Sequence, residues 1–141
     1  MHLGWTQCQA KQWAECKANL ARAEELDPKL AEKYPQLLDV RAAANRQVMI
    51  AKTNALFDEA MEKYTAKNFR GAADILEQST ALDPGSGQSE LWLGYMFCNL
   101  RQGTPCKQHM KKAVEIDPDQ GKDESFARMM SVANQLIARG Q

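Results

Sequence analysis

Three helical stretches in this chain end on the same short word, a run of small and apolar residues closed by an acidic residue and a proline. They are Ala23-Glu24-Glu25-Leu26-Asp27-Pro28, Ser79-Thr80-Ala81-Leu82-Asp83-Pro84 and Ala113-Val114-Glu115-Ile116-Asp117-Pro118. Proline lacks the amide hydrogen of the helix ladder and its ring clashes with the preceding turn, so each word is a helix stop. Pro84 and Pro118 are separated by roughly 34 residues, a period that belongs to stacked helix pairs. A repeated stop at such an interval means that one supersecondary unit recurs. The acidic residues of these words read as turn residues and not as ligands, because they recur at every helix end.

Aligning the units on their prolines brings further places into register. A small residue early in the second helix falls on Cys16, Ala72 and Cys106, and a large one a helical turn later on Leu20, Leu76 and Met110. Ala23, Ser79 and Ala113 hold a second small place, and Gly4, Ala60 and Gly94 the place where two helices touch. On these residues the chain resembles the tetratricopeptide repeat family, over about two thirds of its length. Trp13, Phe69 and Gly103 share one further place, at which Gly103 is a departure, and Trp92 in Leu91-Trp92-Leu93-Gly94-Tyr95 is displaced from the family's usual tryptophan. The resemblance implies an all-α fold, a tetratricopeptide-like α-solenoid of helix-turn-helix repeats. Its units would cover about 1–28, 53–86 and 87–120 within a single domain over 1–141, each burying an apolar stripe that it cannot cover alone. A capping helix is expected over about 123–139, since Phe126, Met129, Met130, Ala133, Leu136 and Ile137 recur at helical spacing. Its other face, with Arg128, Gln135 and Arg139, is expected to meet water.

The interval from Pro28 to Pro84 exceeds one repeat by roughly 22 residues, or about six helical turns. No glycine or proline occurs from Gln36 to Arg70, and Pro35 suits a first helical turn. An inserted segment of about 35–52 that continued into the next helix would give one extended helix of roughly 30 residues, reaching roughly 33 Å beyond its normal partner at 1.5 Å per residue. The alternative is a break near Asn45-Arg46-Gln47. The stripe Leu37, Leu38, Ala44, Val48 and Ala51 needs cover, either from the first unit folding back, from a second copy of the chain, or from a segment outside it. The opening residues Leu3-Gly4-Trp5 read as the later part of a helix, which implies an upstream segment.

Cys8 and Cys16 have the same spacing as Cys98 and Cys106, and both pairs occupy the same two repeat places, which hold Tyr64 and Ala72 in the middle unit. In an antiparallel hairpin those places come within disulfide range, so one staple per hairpin is expected. Buried free cysteine satisfies one of the two places equally well, because it wants only a small apolar residue. A four-cysteine zinc site would need the two pairs to meet across an intervening unit. Two disulfides would place the protein in an oxidising compartment, periplasmic or extracellular, with a cytoplasmic location as the alternative.

Function classes narrow by composition. With 18 basic and 18 acidic residues there is no net field for nucleic acid or an anionic membrane, and no apolar run approaches a membrane span. No catalytic set of Ser, His, Asp or Cys emerges around His2 and His109, and His109 reads as a surface residue beside Lys107, Lys111 and Lys112. The expectation is therefore a binding protein without enzymatic activity, cofactor or metal. The family resemblance implies a concave groove lined by the first helix of each unit. Here it would carry Trp5, Phe57, Met61, Tyr64, Leu91 and Tyr95, with Asn54, Gln88 and Asn99 to hydrogen-bond a backbone. Such a groove suits an apolar extended peptide or the apolar side of a partner's helix. Two functions stand: a scaffold module that recruits a protein or peptide, or an oligomerising element whose long helix builds a homodimer over Leu37, Leu38 and Val48. A regulatory domain of a larger protein is a third, suggested only by the abrupt start.

Overall fold

The repeated stops are the frame of the structure, a computed structural model that describes residues 12–141. Seven α-helices carry the described residues: α1 Trp13–Leu26, α2 Leu30–Lys33, α3 Gln36–Thr65, α4 Phe69–Leu82, α5 Gly87–Asn99, α6 Gly103–Ile116 and α7 Glu124–Ala138. A 3-10 helix, Pro118–Gly121, precedes α7, and no strand occurs among the described residues. Helices α1, α4 and α6 are each 14 residues long and end immediately before Asp27, Asp83 and Asp117. At all three ends the aspartate amide closes the last turn, and its Oδ1 accepts the amide two positions on, at 3.1, 3.2 and 3.1 Å. The Asp-Pro word is thus a capped stop, with one carboxylate oxygen bonded to its own backbone.

Helix starts are also locally determined. The Asn68 side chain accepts from the Gly71 amide at 3.0 Å, Ser86 Oγ from Ser89 at 3.2 Å and Asp123 Oδ1 from Ser125 at 3.0 Å, which satisfies donors that a helix leaves open. Ahead of α4 and α6 the chain reverses through Lys67 and Arg101, both at φ 60°, with the Asn68 amide bonded back to the Lys63 carbonyl and the Gln102 amide to that of Phe97. These two turns stand one repeat apart, like the helices they join.

The chain divides into two compact units, one ending at Lys52 and one running Thr53–Gln141, with the division inside α3. That helix is 30 residues long and passes through Asn45-Arg46-Gln47 without a break. In the first unit Leu37 and Ala44 of α3 are buried with Cys16 and Leu20 of α1 and Leu30 of α2, against half-buried Trp13, Ala23 and Val40. The first unit therefore covers this part of the stripe itself. Arg41 pairs with Glu24, and Lys33 with Asp27 at 2.7 Å, which holds the Asp27 carboxyl below its ordinary range through that hydrogen bond and the Lys29 amide. Leu38 remains half exposed.

In the second unit each helix packs on the next, α4 on α5, α5 on α6 and α6 on α7. Leu76, Leu93, Met96 and Met110 are fully enclosed at the centre, together with Ala72, Cys106 and Ala113. Close approach is built on two glycines. A Cβ at Gly94 would stand 2.8 Å from Met110 Cγ and 3.0 Å from the Cys106 carbonyl. One at Gly103 would stand 2.7 Å from both the Ala133 carbonyl and Leu136 Cβ, so the departure at this repeat place is what admits α7. The outward residues Arg128 and Gln135 of α7, and Arg139 that caps its end, are exposed.

Candidate functional site

Helix α5 sets Trp92 and Tyr95 one turn apart, and α3 sets Phe57 and Tyr64 two turns apart, so that both pairs repeat along a helix face. The four rings meet within the second unit with Trp92 at the hub. Its centroid lies 6.2 Å from Phe57, 5.6 Å from Tyr64 and 5.6 Å from Tyr95, all edge-to-face, and Tyr64 also lies 5.9 Å from Phe69. Edge-to-face rings present both faces and edges to a neighbour, and each such pair adds about 0.5–1.5 kcal/mol beyond the area it buries.

The expected groove residues divide by exposure. Phe57 and Met61 are half-buried against the core, Tyr64 is exposed, and Asn54 and Gln88 are exposed. Leu91 and Tyr95 are buried, at 8% and 9% exposure, and belong to the core. Burial, and then the nearby Asp123 carboxylate, push the Tyr95 phenol above its ordinary value. Asn99 is exposed; one of its Nδ2 hydrogens goes to the Tyr95 carbonyl at 2.8 Å, which leaves Oδ1 and the second Nδ2 hydrogen for a partner. Trp5 lies outside the described residues. Trp92 was visible in the sequence only as a displaced family tryptophan; its one-turn spacing from Tyr95 is the signal that marks it as the hub.

Cys98 and Cys106 stand in disulfide geometry, with Cα atoms 5.2 Å apart, joining the end of α5 to the start of α6. Neither is then available to a zinc ion. Cys16 is not a free thiol either, and the pairing expected for it, with Cys8, lies outside the described residues.

His109 departs from the surface role its neighbours imply. It is half-buried and stacks on Phe97 with centroids 5.3 Å apart and planes at 12°. Its Nδ1 lies 2.7 Å from Oε2 of Glu90, whose other oxygen is 3.1 Å from Lys112 Nζ. Glu90 is only 2% exposed. An enclosed carboxylate is costly unless its oxygens are bonded, and these two partners do that. Nothing in linear spacing announces the cluster, because it joins distant positions on two helices, α5 and α6. On the cap, Phe126 and Met130 line an open hollow of about 610 Å³ with Ala127, Ser131 and Asn134, so that face is less polar than its arginines suggest.

Comparison with family models and with curated proteins finds no match to this chain.

Proposed function

We propose that the chain is a tetratricopeptide-type helical-repeat module that recruits another protein by an apolar segment laid on the aromatic face around Trp92. The fold reading is supported by three 14-residue helices with identical capped ends and by two identical reversals one repeat apart. The observation that carries the binding reading is the edge-to-face cluster of Phe57, Tyr64 and Tyr95 on Trp92, open to solvent at Tyr64, with exposed Asn54 and Gln88 about one helical turn before Phe57 and Trp92. Aromatic and methionine side chains anchor partners at low entropic cost, and exposed carboxamides hold a peptide backbone. The Cys98–Cys106 geometry favours an oxidising compartment as the place of work. Binding, and not catalysis, is what these groups serve.

Selection of a displayed peptide library on the full chain tests this. Enriched peptides carry two or more apolar anchors, and Tyr64→Ala or Phe57→Ala weakens them roughly tenfold, as loss of an interface anchor does. Peptides that bind both variants as well as the parent would place recognition elsewhere. Of the three residues of the dimer reading, Leu37 is buried within its own chain, while Val48 is half-buried and Leu38 half-exposed. Native mass measurement of parent and Leu38→Asp decides it: a dimer that the variant dissolves would restore that reading.

A further inference from the structure

A cavity of about 290 Å³ opens where the reversal after α5 meets the last turns of α7. Its lining is polar at Asn99, Arg101, Gln135 and Arg139 and apolar at Cys98, Val132 and Leu136. No carboxylate lines it, and among the described residues neither guanidinium has an acidic partner. Arg101 and Arg139 are exposed residues that line the same hollow, and an anion held by both offsets the repulsion between like charges there. The guanidinium fork matches the two oxygens of a carboxylate. One Nδ2 hydrogen of Asn99 goes to the Tyr95 carbonyl, and the side chain keeps Oδ1 as an acceptor. The lining thus has donors for a carboxylate, an acceptor for an N–H and aliphatic side chains.

We propose that this cavity binds an N-acylated aliphatic amino-acid carboxylate, the chemistry shared by a free acylamino acid and the last residue of a peptide. The carboxylate lies between Arg101 and Arg139, the amide N–H donates to Asn99 Oδ1, and the side chain lies against Val132 and Leu136. The inference does not rest on the aromatic-face reading: no aromatic residue lines the cavity, and Asn99 alone is shared with the expected groove set.

The test is a titration of the full chain followed by amide chemical shifts, with N-acetyl-leucine, a tripeptide ending in leucine, the same tripeptide as its C-terminal amide, and inorganic phosphate. Arg101→Gly is the informative variant, because Arg101 sits at φ 60°, where glycine is unstrained, so the turn is kept while the guanidinium is removed. Saturable shifts at Arg101, Val132, Gln135 and Arg139 with the acids are expected. Binding should be roughly tenfold weaker for the C-terminal amide and for Arg101→Gly, as loss of a charge-assisted hydrogen bond predicts. Binding of the tripeptide alone would identify a peptide terminus as the source, and binding of N-acetyl-leucine alone a free acid. Equal binding of acid and amide, equal binding of phosphate, or undiminished binding by Arg101→Gly would overturn the proposal. So would an absence of any shift while Arg139→Gln lowers the melting temperature, since the arginines would then serve only to offset the carbonyl ends of α5 and α7.

Discussion

Gly94 is the residue on which the α5–α6 contact turns. A methyl group there meets Met110 Cγ at 2.8 Å and two backbone atoms of α6 within 3.2 Å, and backbone cannot swing aside as a side-chain end can. Gly94→Ala should therefore destabilise the protein by about 1–3 kcal/mol in urea unfolding, the range for overpacking. Gly85→Ala, whose new atom meets only Asp83 Oδ1 at 3.5 Å, should be neutral or slightly stabilising. The small place at Gly94 was legible from the repeat alignment; the reason for Gly103 was not, because it lies in a different helix, at Ala133 of α7. Tyr95 makes a prediction of a different kind. Its phenol is held above the ordinary value of 10.0, so its folded form binds the proton more tightly than the unfolded chain does. The stability this contributes is fully present below about pH 10 and is lost as pH rises through the higher folded value. Ultraviolet absorbance should show a late tyrosine ionisation that Tyr95→Phe removes, and its persistence in the variant would assign the effect elsewhere. Exposure was not legible for the groove set: Tyr64 and Tyr95 both stand late on the first helix of a pair, yet the first is open and the second enclosed, a difference decided by which neighbour packs across them.

Helices α5 and α6 are tied at both ends of their hairpin. Cys98 and Cys106 stand at the turn, and Glu90 with His109 and Lys112 at the open end. Closing so short a loop removes denatured-chain entropy worth about 2.5 kcal/mol. Cys98→Ala combined with Cys106→Ala should lower unfolding free energy by about that amount, and reduction of the parent should do the same, while the double variant should not respond to reductant. A parent that is indifferent to reductant would mean that the thiols are not joined in solution. Equal spacing in corresponding repeat places made this pair readable in advance, since two local periods coincide. The ion cluster was not readable, because it depends on which faces of two helices meet. The long helix was legible for a simpler reason: nothing between Gln36 and Arg70 stops a helix, and α3 ends at Thr65, just before the reversal at Lys67. Its cover was not, since folding back, a second copy and an outside segment all satisfy the same apolar stripe.

At the scale of the whole molecule the two units keep separate cores. The cluster of Cys16, Leu20, Leu30, Leu37 and Ala44 shares no residue with the one that runs from Ala60 to Ala133. Stability in stacked-helix proteins is approximately a sum of local terms, so damage to one core need not reach the other. Leu20→Ala empties an enclosed site, 2% exposed, and should cost about 2–5 kcal/mol where it falls. In native-state hydrogen exchange of the full chain, amides of α1 and of α3 up to Lys52 should then lose protection, while those of Leu93 and Met96 should keep it. The division inside α3 makes this a sharp test. A helix propagates order through its own hydrogen bonds, so if it carries the loss past Thr53, the amides of Phe57 and Met61 will exchange with those of Leu37, and the aromatic face will be coupled to a core with which it shares no side chain. If protection instead stops near Lys52, the surface around Trp92 and the cavity at Arg101 are properties of residues 53–141, and a partner bound at either would stabilise that unit without reporting on the first.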